Sequence, residues 1–310
     1  MKIRLRDFIK FEDCYFSVVS YFNDEYVKCL LRYIPLSIAK EIKEKRNEYV
    51  KLSHKEALNY FKEYQKDGIF ILPNSDLKVL KPEILTPEII KKDHIVSKIY
   101  EFFSNIPSTH KGVTGSRLLG LAEKNSDVDF VVYGKYWKIA REYLKKCIEK
   151  GILSQPNWKK IYKKRKPHID FDIFVAHEIR KYNRAVLDGI YFDLLFVRDY
   201  NELYKYPEIS GKKLGEVTLE GTVIDDSAIF DYPSRYPLKD VCVKSSVKPL
   251  TSTKIEVLCF THTYTGQAFK GERVEVHGIL EKTVEGYKVI VGTKRECDEY
   301  LFSKTLIDRI

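Results

Sequence analysis

The opening part of the chain alternates apolar and polar positions over short stretches. Residues 14–22, CYFSVVSYF, and residues 25–34, EYVKCLLRYI, flank a turn-like Asn-Asp pair. Short apolar runs joined by a tight polar turn are typical of a β-hairpin. Two charged stretches, around 37–49 and 53–66, are predicted as helices. We therefore predict an α+β region over residues 1–87.

The middle of the chain alternates strand-like and helix-like patterns. Two prolines and a threonine introduce the first helix, and the apolar residues of the second helix share one stripe. The predicted elements are, in order, helix 88–104, strand 127–134, helix 135–150, strand 168–176, helix 177–187 and strand 191–197. Such alternation implies a sheet with helices packed on it. We predict an α/β domain over residues 88–205.

A period of two dominates after a polar, Gly-containing linker. The predicted strands are 216–224, 254–264, 272–280 and 287–293. Short strands with a glycine before or within them suggest a small closed barrel. The segment FKGERVEVHGILEK is similar to the central hairpin of OB-fold proteins, so residues 212–310 are predicted to form an OB-like β-barrel domain. The fold class is thus multidomain α+β.

Length and composition indicate a globular protein. The chain has 310 residues, 44% of them hydrophobic, which suffices for two or three domains with their own cores. No window approaches the roughly 18 continuous apolar residues of a membrane span. The N-terminal stretch lacks a signal-peptide layout because Asp7, Lys10, Glu12 and Asp13 interrupt it. We expect a cytoplasmic protein with no membrane partner.

The cysteines suggest neither a zinc site nor a disulfide framework. All six are far apart, with no Cys-x-x-Cys pair and no His/Cys cluster at zinc spacing. We expect most of them to be small core residues. They are Cys14, Cys29, Cys147, Cys242, Cys259 and Cys297.

The charge of the chain permits two interpretations. The formal net charge is +10, from 54 Lys and Arg against 44 Asp and Glu. Such an excess suits an anionic partner such as a nucleic acid. A Lys- and Glu-rich composition with one Met is also typical of heat-adapted, thermophilic proteins and yields the same excess with no partner.

The stretch GVTGSRLLGLAEKNSDVD, residues 112–129, carries the clearest chemistry. Asp127 and Asp129 are two apart at the start of a strand and point to the same face. Two like charges there repel, and a divalent cation, Mg²⁺ or Mn²⁺, compensates them. Gly115 and Ser116 at the start of a helix offer close backbone approach, N–H groups and the helix dipole to a triphosphate. Nucleotidyl transfer needs this combination of metal and phosphate sites.

These residues resemble the signature of the DNA polymerase β-type nucleotidyltransferases, a Gly-Ser pair, about ten residues, and an Asp-x-Asp in an apolar strand. The resemblance implies a nucleoside triphosphate, such as ATP, bound at Gly115, Ser116 and Arg117, with Asp127 and Asp129 as catalytic metal ligands. The whole chain also resembles a set of archaeal predicted nucleotidyltransferases, which implies little about the acceptor.

A third catalytic and metal-binding carboxylate is expected on a neighbouring strand. Asp170, Asp172 and Asp193 are the candidates. Asp193 lies inside an apolar strand, where an unpaired charge is costly, and its surroundings resemble the third position of the family. We choose Asp193 and keep Asp172 and Asp170 as alternatives.

Two cationic segments complete the candidate residues. In HEIRKYNR, Arg180, Lys181 and Arg184 are predicted to share a helix face that binds triphosphate, with a solvated face as the alternative. The run WKKIYKKRK, residues 158–166, interleaves aromatic and basic residues and is predicted to bind a nucleic-acid backbone, with a hydrated connection as the alternative. Its candidate residues are Lys163, Lys164, Arg165 and Lys166.

The sequence favours a metal-dependent nucleotidyltransferase that moves NMP to a hydroxyl acceptor and releases pyrophosphate. Its basic balance and barrel favour a nucleic acid as acceptor, RNA before DNA. A non-catalytic nucleic-acid-binding protein on the same scaffold is the first alternative, and a transferase acting on protein or small molecules is the second. Oligomeric state stays open.

Overall fold

The computed structural model describes residues 2–75, 77–209, 211–246, 248–250, 254–292 and 298–309. They form two compact units: unit 1 contains Met1–Ser154 and Asn183–Pro207, and unit 2 contains Gln155–Tyr182 and Glu208–Ile310. This division differs from the three predicted ranges. The N-terminal region shares a unit with the signature stretch, and residues 155–182 belong with the C-terminal barrel.

Unit 1 begins with an eight-stranded sheet ordered β4-β5-β3-β2-β1-β8, in which β7 pairs with β3 and β6. Its strands are β1 Phe8–Phe11, β2 Cys14–Val18, β3 Tyr26–Pro35, β4 Lys45–Arg46, β5 Tyr49–Lys51, β6 Gln65–Lys66, β7 Ile69–Pro73 and β8 Lys78–Leu80. Alternate residues of β2 and β3 are buried, and the two strands pair antiparallel, which confirms the predicted hairpin.

The two helices predicted around 37–49 and 53–66 are wrong. The structure has the short strands β4 and β5 there, a single turn of helix, α1 (His54–Ala57), and 3₁₀ turns at Leu36–Ile38 and Lys62–Tyr64. Pairing with β3 buries Val50 opposite Ile34. This long-range pairing outweighs the helical preference of a charged stretch.

Two helices precede the second sheet of unit 1, where one was predicted. They are α2 Pro82–Ile89 and α3 His94–Phe102. The Asp93 side chain accepts hydrogen bonds from the amides of Ile95 and Val96 and so begins a new helix. This N-cap divides the predicted helix 88–104.

The second sheet of unit 1 is ordered β11-β12-β10-β9, with β10 and β12 parallel and the other pairs antiparallel. Its elements are β9 Lys111–Thr114, α4 Gly115–Leu118, β10 Val128–Tyr133, α5 Tyr136–Glu149, β11 Arg184–Leu187 and β12 Ile190–Val197. Phe130 of β10 stacks on Phe103 at 5.1 Å between ring centroids. The predicted apolar stripe of α5 is buried, as Trp137 and Leu144 show.

Unit 2 contains a closed five-strand ring. The order is β13-β14-β15-β17-β16, β16 returns to β13, β15 and β17 are parallel, and β18 adds to β16. Its elements are α6 Trp158–Arg165, α7 Phe171–Lys181, β13 Lys212–Val223, β14 Ser234–Ser246, β15 Ile255–Cys259, β16 Arg273–Lys282, β17 Tyr287–Val291, β18 Tyr300–Ser303 and α8 Lys304–Ile307. The predicted barrel is confirmed, although β14 and β18 were not predicted.

The strand predicted over 168–176 is wrong, because α7 occupies this segment. The sequence HIDFDIF alternates in a strand-like way, yet Phe174, His177, Glu178 and Lys181 are buried at helical spacing. Tyr182 then adopts a left-handed conformation with φ +47° and ends the helix before the predicted limit at 187. The basic run 158–166 is likewise mostly helix rather than a loop.

Most cysteines are buried free thiols, in agreement with the expected core role. Cys242 is exposed, and Cys297 lies outside the described residues. Across the described part of the chain, no helix is long and apolar enough to cross a membrane.

Candidate active site

Four polar side chains occupy one row across the second sheet of unit 1. Asp129 on β10 pairs with Thr114 on β9 and with Asp193 on β12, and Asp193 pairs with Arg184 on β11. Residues at paired positions of neighbouring strands project from the same face of a sheet. The pairing therefore brings two carboxylates that are distant in sequence next to each other, with a guanidinium at the end of the row.

Gly115 lies against this row, directly after Thr114. Its φ is +69°, a conformation that side chains rarely adopt, and a Cβ atom there would lie 2.7 Å from Oδ2 of Asp129. The backbone conformation therefore favours glycine, and any side chain there would displace the Asp129 carboxylate. The other predicted carboxylate, Asp127, is half-buried one residue before β10 begins.

Asp193 is held by two neighbours. Its Oδ1 accepts hydrogen bonds from Nε of Arg184 at 2.5 Å and from the hydroxyl of Tyr191 at 2.9 Å. The side chains of Arg184 and Asp193 are 2% and 14% exposed. Within the described ranges, no group of three or more His, Cys, Asp or Glu side chains is spaced to hold a metal ion. Asp129 and Asp193 are neighbours across the sheet, but together with Asp127 they do not form a ligand set of three.

The alternative third carboxylates lie elsewhere. Asp170 is the N-cap residue of α7 and Asp172 is in its first turn, so both belong to a helix of unit 2. Of the three candidates, Asp193 is the one on a strand adjacent to Asp129.

Ser116 and Arg117 differ in accessibility. Ser116 is half-buried in α4, a helix of only four residues, so the expected helix dipole contributes little. Arg117 is buried, and its guanidinium donates to Asp93 Oδ2 and to the carbonyl of Ser126, both at 2.7 Å. These bonds tie the loop that leads to Asp127. Phosphate binding by Arg117 stays a prediction.

The predicted cationic face of Arg180, Lys181 and Arg184 is divided between the units. Arg180 makes a two-bond ion pair with Glu272 at 2.6 and 2.9 Å, within unit 2. Lys181 is buried and donates to Glu178 and to the carbonyl of Thr263, and burial lowers its pKa well below the ordinary value. Because the helix ends at Lys181, Arg184 falls on β11 of unit 1. The predicted common helix face therefore does not form, and triphosphate binding by any one of the three residues is untested.

The four candidate residues of the basic run lie in the last turn of α6 and at its C-cap. Lys163, Lys164 and Lys166 are exposed and Arg165 is half-buried. Their predicted contact with nucleic acid is untested by the fold.

The N-terminal sheet holds the signature loop, which the sequence did not indicate. Phe8 and Tyr33 pack against Leu118 and Leu121, the residues that follow Gly-Ser. This apolar contact fixes one end of the loop between α4 and β10.

Two exposed polar contacts connect the N-terminal sheet to the middle of that loop. Arg46 Nη1 donates to Glu123 Oε1 at 2.6 Å, and Asn47 Nδ2 donates to the carbonyl of Gly120 at 3.3 Å. Long-range contacts of this kind leave no short motif, so no local signal marked Arg46 or Asn47.

Comparison with known proteins identifies one domain of the chain. A family model described as nucleotidyltransferase domain matches residues 96–183, which include Gly115, Ser116, Asp127 and Asp129. The chain belongs to the DNA polymerase β-type nucleotidyltransferase superfamily. It is 36% identical over 346 aligned positions to the uncharacterized protein MJ1086 of Methanocaldococcus jannaschii, covering 97% of this chain and 99% of the relative. No solved structure matches significantly. The domain indicates nucleotidyl transfer from a nucleoside triphosphate.

Proposed function

We propose that this protein is a metal-dependent nucleotidyltransferase that moves NMP from a nucleoside triphosphate to a hydroxyl of a nucleic acid, RNA rather than DNA. The observation that carries the proposal is the row of side chains across the second sheet of unit 1. Gly115, in a conformation that suits glycine, lies against Asp129, and Asp129 lies beside Asp193. A phosphate-approach residue and two adjacent carboxylates are the parts that this reaction requires.

The residues present fit a divalent cation. Adjacent carboxylates repel, and hard oxygen donors of this kind suit Mg²⁺ or Mn²⁺. A Cβ at residue 115 would fill the space beside Asp129 Oδ2. Asp127, Asp129 and Asp193 would hold the ion, which when bound neutralises charge on the triphosphate and the attacking oxygen.

The other residues position the reactants. The Ser116 hydroxyl donates to a phosphate oxygen, and Gly115 lets the backbone N–H groups approach the same phosphate. Arg184 and Tyr191 orient the Asp193 carboxylate toward the acceptor hydroxyl through their hydrogen bonds to Oδ1. Arg117 and Arg46 hold the loop between the phosphate and carboxylate positions.

We assign the barrel of unit 2 to the OB-like class and to acceptor binding. Its first, second, third, fifth and fourth strands follow one another around the ring, with the third and fifth parallel. This order is that of OB-folds, which bind oligonucleotides. The net charge of +10 supports an anionic acceptor.

The experiment is incubation of the purified protein with Mg²⁺ and each labelled nucleoside triphosphate, alone, with pooled tRNA and with single-stranded DNA. We expect label on RNA and release of pyrophosphate. Asp193→Asn should abolish labelling, while the matched Asp172→Asn should not. Absence of labelling with every triphosphate and acceptor, or full labelling by Asp193→Asn, contradicts the proposal.

One observation favours the non-catalytic alternative, in which the chain binds nucleic acid on an inactive scaffold. Arg184 pairs with Asp193 at 2.5 Å and so neutralises the third carboxylate. The two functions differ in one measurement. A non-catalytic protein binds RNA equally well with or without triphosphate and Mg²⁺, and it labels nothing.

A further inference from the structure

Four aromatic and imidazole rings form a strip on unit 2, which we name the aromatic strip: His168, His277, Tyr300 and Phe302. Tyr300 is its centre. Its ring centroid lies 6.1 Å from His168, 5.7 Å from His277 and 5.6 Å from Phe302, with interplanar angles of 15°, 26° and 19°. The rings are thus nearly parallel.

The strip lies on the outer face of the barrel. His277 of β16 pairs with Tyr300 of β18, and the alternate residues Val276 and Leu301 are buried inside. His277, Tyr300 and Phe302 are half-buried and His168 is exposed. Parallel rings that keep one accessible side are suited to stacking on flat ligands.

Positive charge adjoins the strip. His168 follows the last turn of α6 and its cap residue Lys166 by two positions, so Lys163, Lys164 and Lys166 lie next to it along the chain. These lysines are exposed. Parallel rings for bases and ammonium groups for phosphates are the two components of single-strand binding surfaces.

We propose that the aromatic strip stacks the bases of a single-stranded RNA segment while the lysines of α6 contact its phosphates. The inference rests on the proposed function, because it identifies the surface that holds the acceptor. Duplex RNA keeps its bases stacked inside, so the strip selects single strands. The aromatic strip involves β16 and β18, whereas the usual oligonucleotide face of OB-folds is on the second and third strands.

The test is binding of a fluorescein-labelled single-stranded RNA of mixed sequence to the full chain, followed by fluorescence anisotropy. Tyr300→Leu and Phe302→Leu should each weaken binding about fivefold or more, the loss expected for one stacked base. Tyr300→Phe keeps the ring and removes only the hydroxyl that donates to Glu275 at 2.9 Å, so it should bind as the unchanged protein does.

Phe260→Leu is the matched control. Phe260 is 39% exposed on the same barrel and belongs to a different ring cluster, with Tyr232 at 6.1 Å. We expect no loss of RNA binding. If Phe260→Leu weakens binding and Tyr300→Leu does not, the RNA binds at the cluster of Phe260 and Tyr232, and the inference is overturned. Circular dichroism of each variant separates loss of the fold from loss of the surface, and equal loss by Tyr300→Phe and Tyr300→Leu also contradicts stacking.

Salt dependence separates the two components. Lys163→Gln with Lys164→Gln should reduce the log–log salt slope by about 0.7 for each phosphate that is no longer neutralised, while Tyr300→Leu should leave the slope unchanged. The RNA duplex should bind independently of Tyr300. Equal dependence of duplex and single strand on Tyr300 overturns the inference.

The measurement needs neither triphosphate nor Mg²⁺, so it is independent of nucleotidyl transfer. If RNA is labelled but Tyr300→Leu and Phe302→Leu bind normally, the strip is not the acceptor surface and the proposed function stands. If these variants lose RNA binding but nothing is ever labelled, the surface stands and the proposed function fails.

Discussion

Strand-borne carboxylates occur in both units, with different charged neighbours. In unit 1, Asp129 lies beside Asp193, so two like charges are neighbours across the sheet. In unit 2, Glu220 of β13 lies among cations. Three of them contact it: Lys304 at 2.6 Å, Arg273 at 3.0 Å and Lys244 at 3.2 Å.

The difference distinguishes the candidate site in unit 1 from a structural contact in unit 2. Cations around Glu220 stabilise its charge, and the hydrogen bond from Lys304, with those from Arg273 and Lys244, holds its pKa at about 2. Asp129 and Asp193 gain no such stabilisation from each other. Arg184 balances the charge of Asp193 on one side, while the other neighbour of Asp193 across the sheet is a second carboxylate, Asp129. A pair of like charges held side by side marks a candidate functional site.

The largest expected effect is on catalysis. Asp129→Asn should reduce NMP transfer about a thousandfold or more, because charge stabilisation by a bound cation amounts to several kcal/mol. Glu220→Gln should leave transfer within a few-fold. Labelling of RNA from a labelled triphosphate measures both. Equal effects of the two substitutions would remove the distinction between the two carboxylate sites.

Gly115→Ala should reduce transfer about a hundredfold. The added Cβ would meet Asp129 Oδ2 at 2.7 Å, and φ +69° is unfavourable for alanine by about 1–2 kcal/mol. Gly120→Ala is the control for strain alone, since Gly120 has φ +67° and nothing within 4 Å of the added Cβ. Transfer rates and thermal unfolding are compared between Gly115→Ala and Gly120→Ala. The difference between the two variants gives the effect of the contact with Asp129. If both variants behave alike, the close approach of Gly115 has no functional role.

Arg184→Gln should reduce transfer about tenfold while triphosphate affinity is nearly unchanged, because Arg184 acts through Asp193. Arg180→Gln should leave transfer unchanged and destabilise the protein by about 1–3 kcal/mol, since Glu272 loses a charged partner. Equilibrium binding of a labelled triphosphate, initial rates and urea unfolding distinguish the two. A large loss of triphosphate affinity in Arg184→Gln would instead support direct phosphate binding.

The smallest effect is on the pH dependence of stability. The pKa of Glu220 is lowered from 4.5 to about 2 in the folded protein. The stabilisation that the ionised carboxylate gives to the fold is therefore present above pH 4.5 and is lost as the pH falls toward 2. Glu220→Gln should therefore flatten the acid side of a plot of unfolding free energy against pH. Urea unfolding across that range measures the change.

Asp7 of unit 1 supplies the opposite case. Burial raises its pKa from 3.8 to about 7, even though Lys81 lies 3.7 Å away. The folded state binds the proton of Asp7 more tightly than the unfolded state does. The stabilisation that results is present below pH 3.8 and is lost as the pH rises through 7. Asp7→Asn should flatten the plot of unfolding free energy between pH 3.8 and about 7. It should leave the range from pH 3.8 down to about 2, where Glu220 titrates, unchanged. An identical profile for both variants would contradict these assignments.

Parts of this arrangement followed from local spacing. The Gly-Ser turn and Asp-x-Asp pair lie within one short stretch, so backbone geometry alone predicts a phosphate approach beside two carboxylates. The hairpin of β2 and β3, the buried stripe of α5 and strand β12 also follow, because each has one clear period. Apolar stretches with strand-like periods also limit the candidates for the third carboxylate to Asp170, Asp172 and Asp193.

Other parts depended on which elements pair. HIDFDIF fits periods of both two and 3.6, and packing within unit 2 made it helix α7. Arg180 and Arg184 lie four residues apart, yet the left-handed Tyr182 ends the helix between them and the chain changes units at that point. Their common face therefore does not form.

The sequence by itself predicted the candidate chemistry of residues 115–129, because backbone conformation and side-chain spacing act over a few residues. The tertiary structure decided that Asp193 stands beside Asp129, that Arg184 bonds to Asp193, and that Arg46 of the N-terminal sheet holds the signature loop. These contacts join residues far apart in the chain. Their free energy comes from strand pairing and burial across a whole unit, which no local pattern contains.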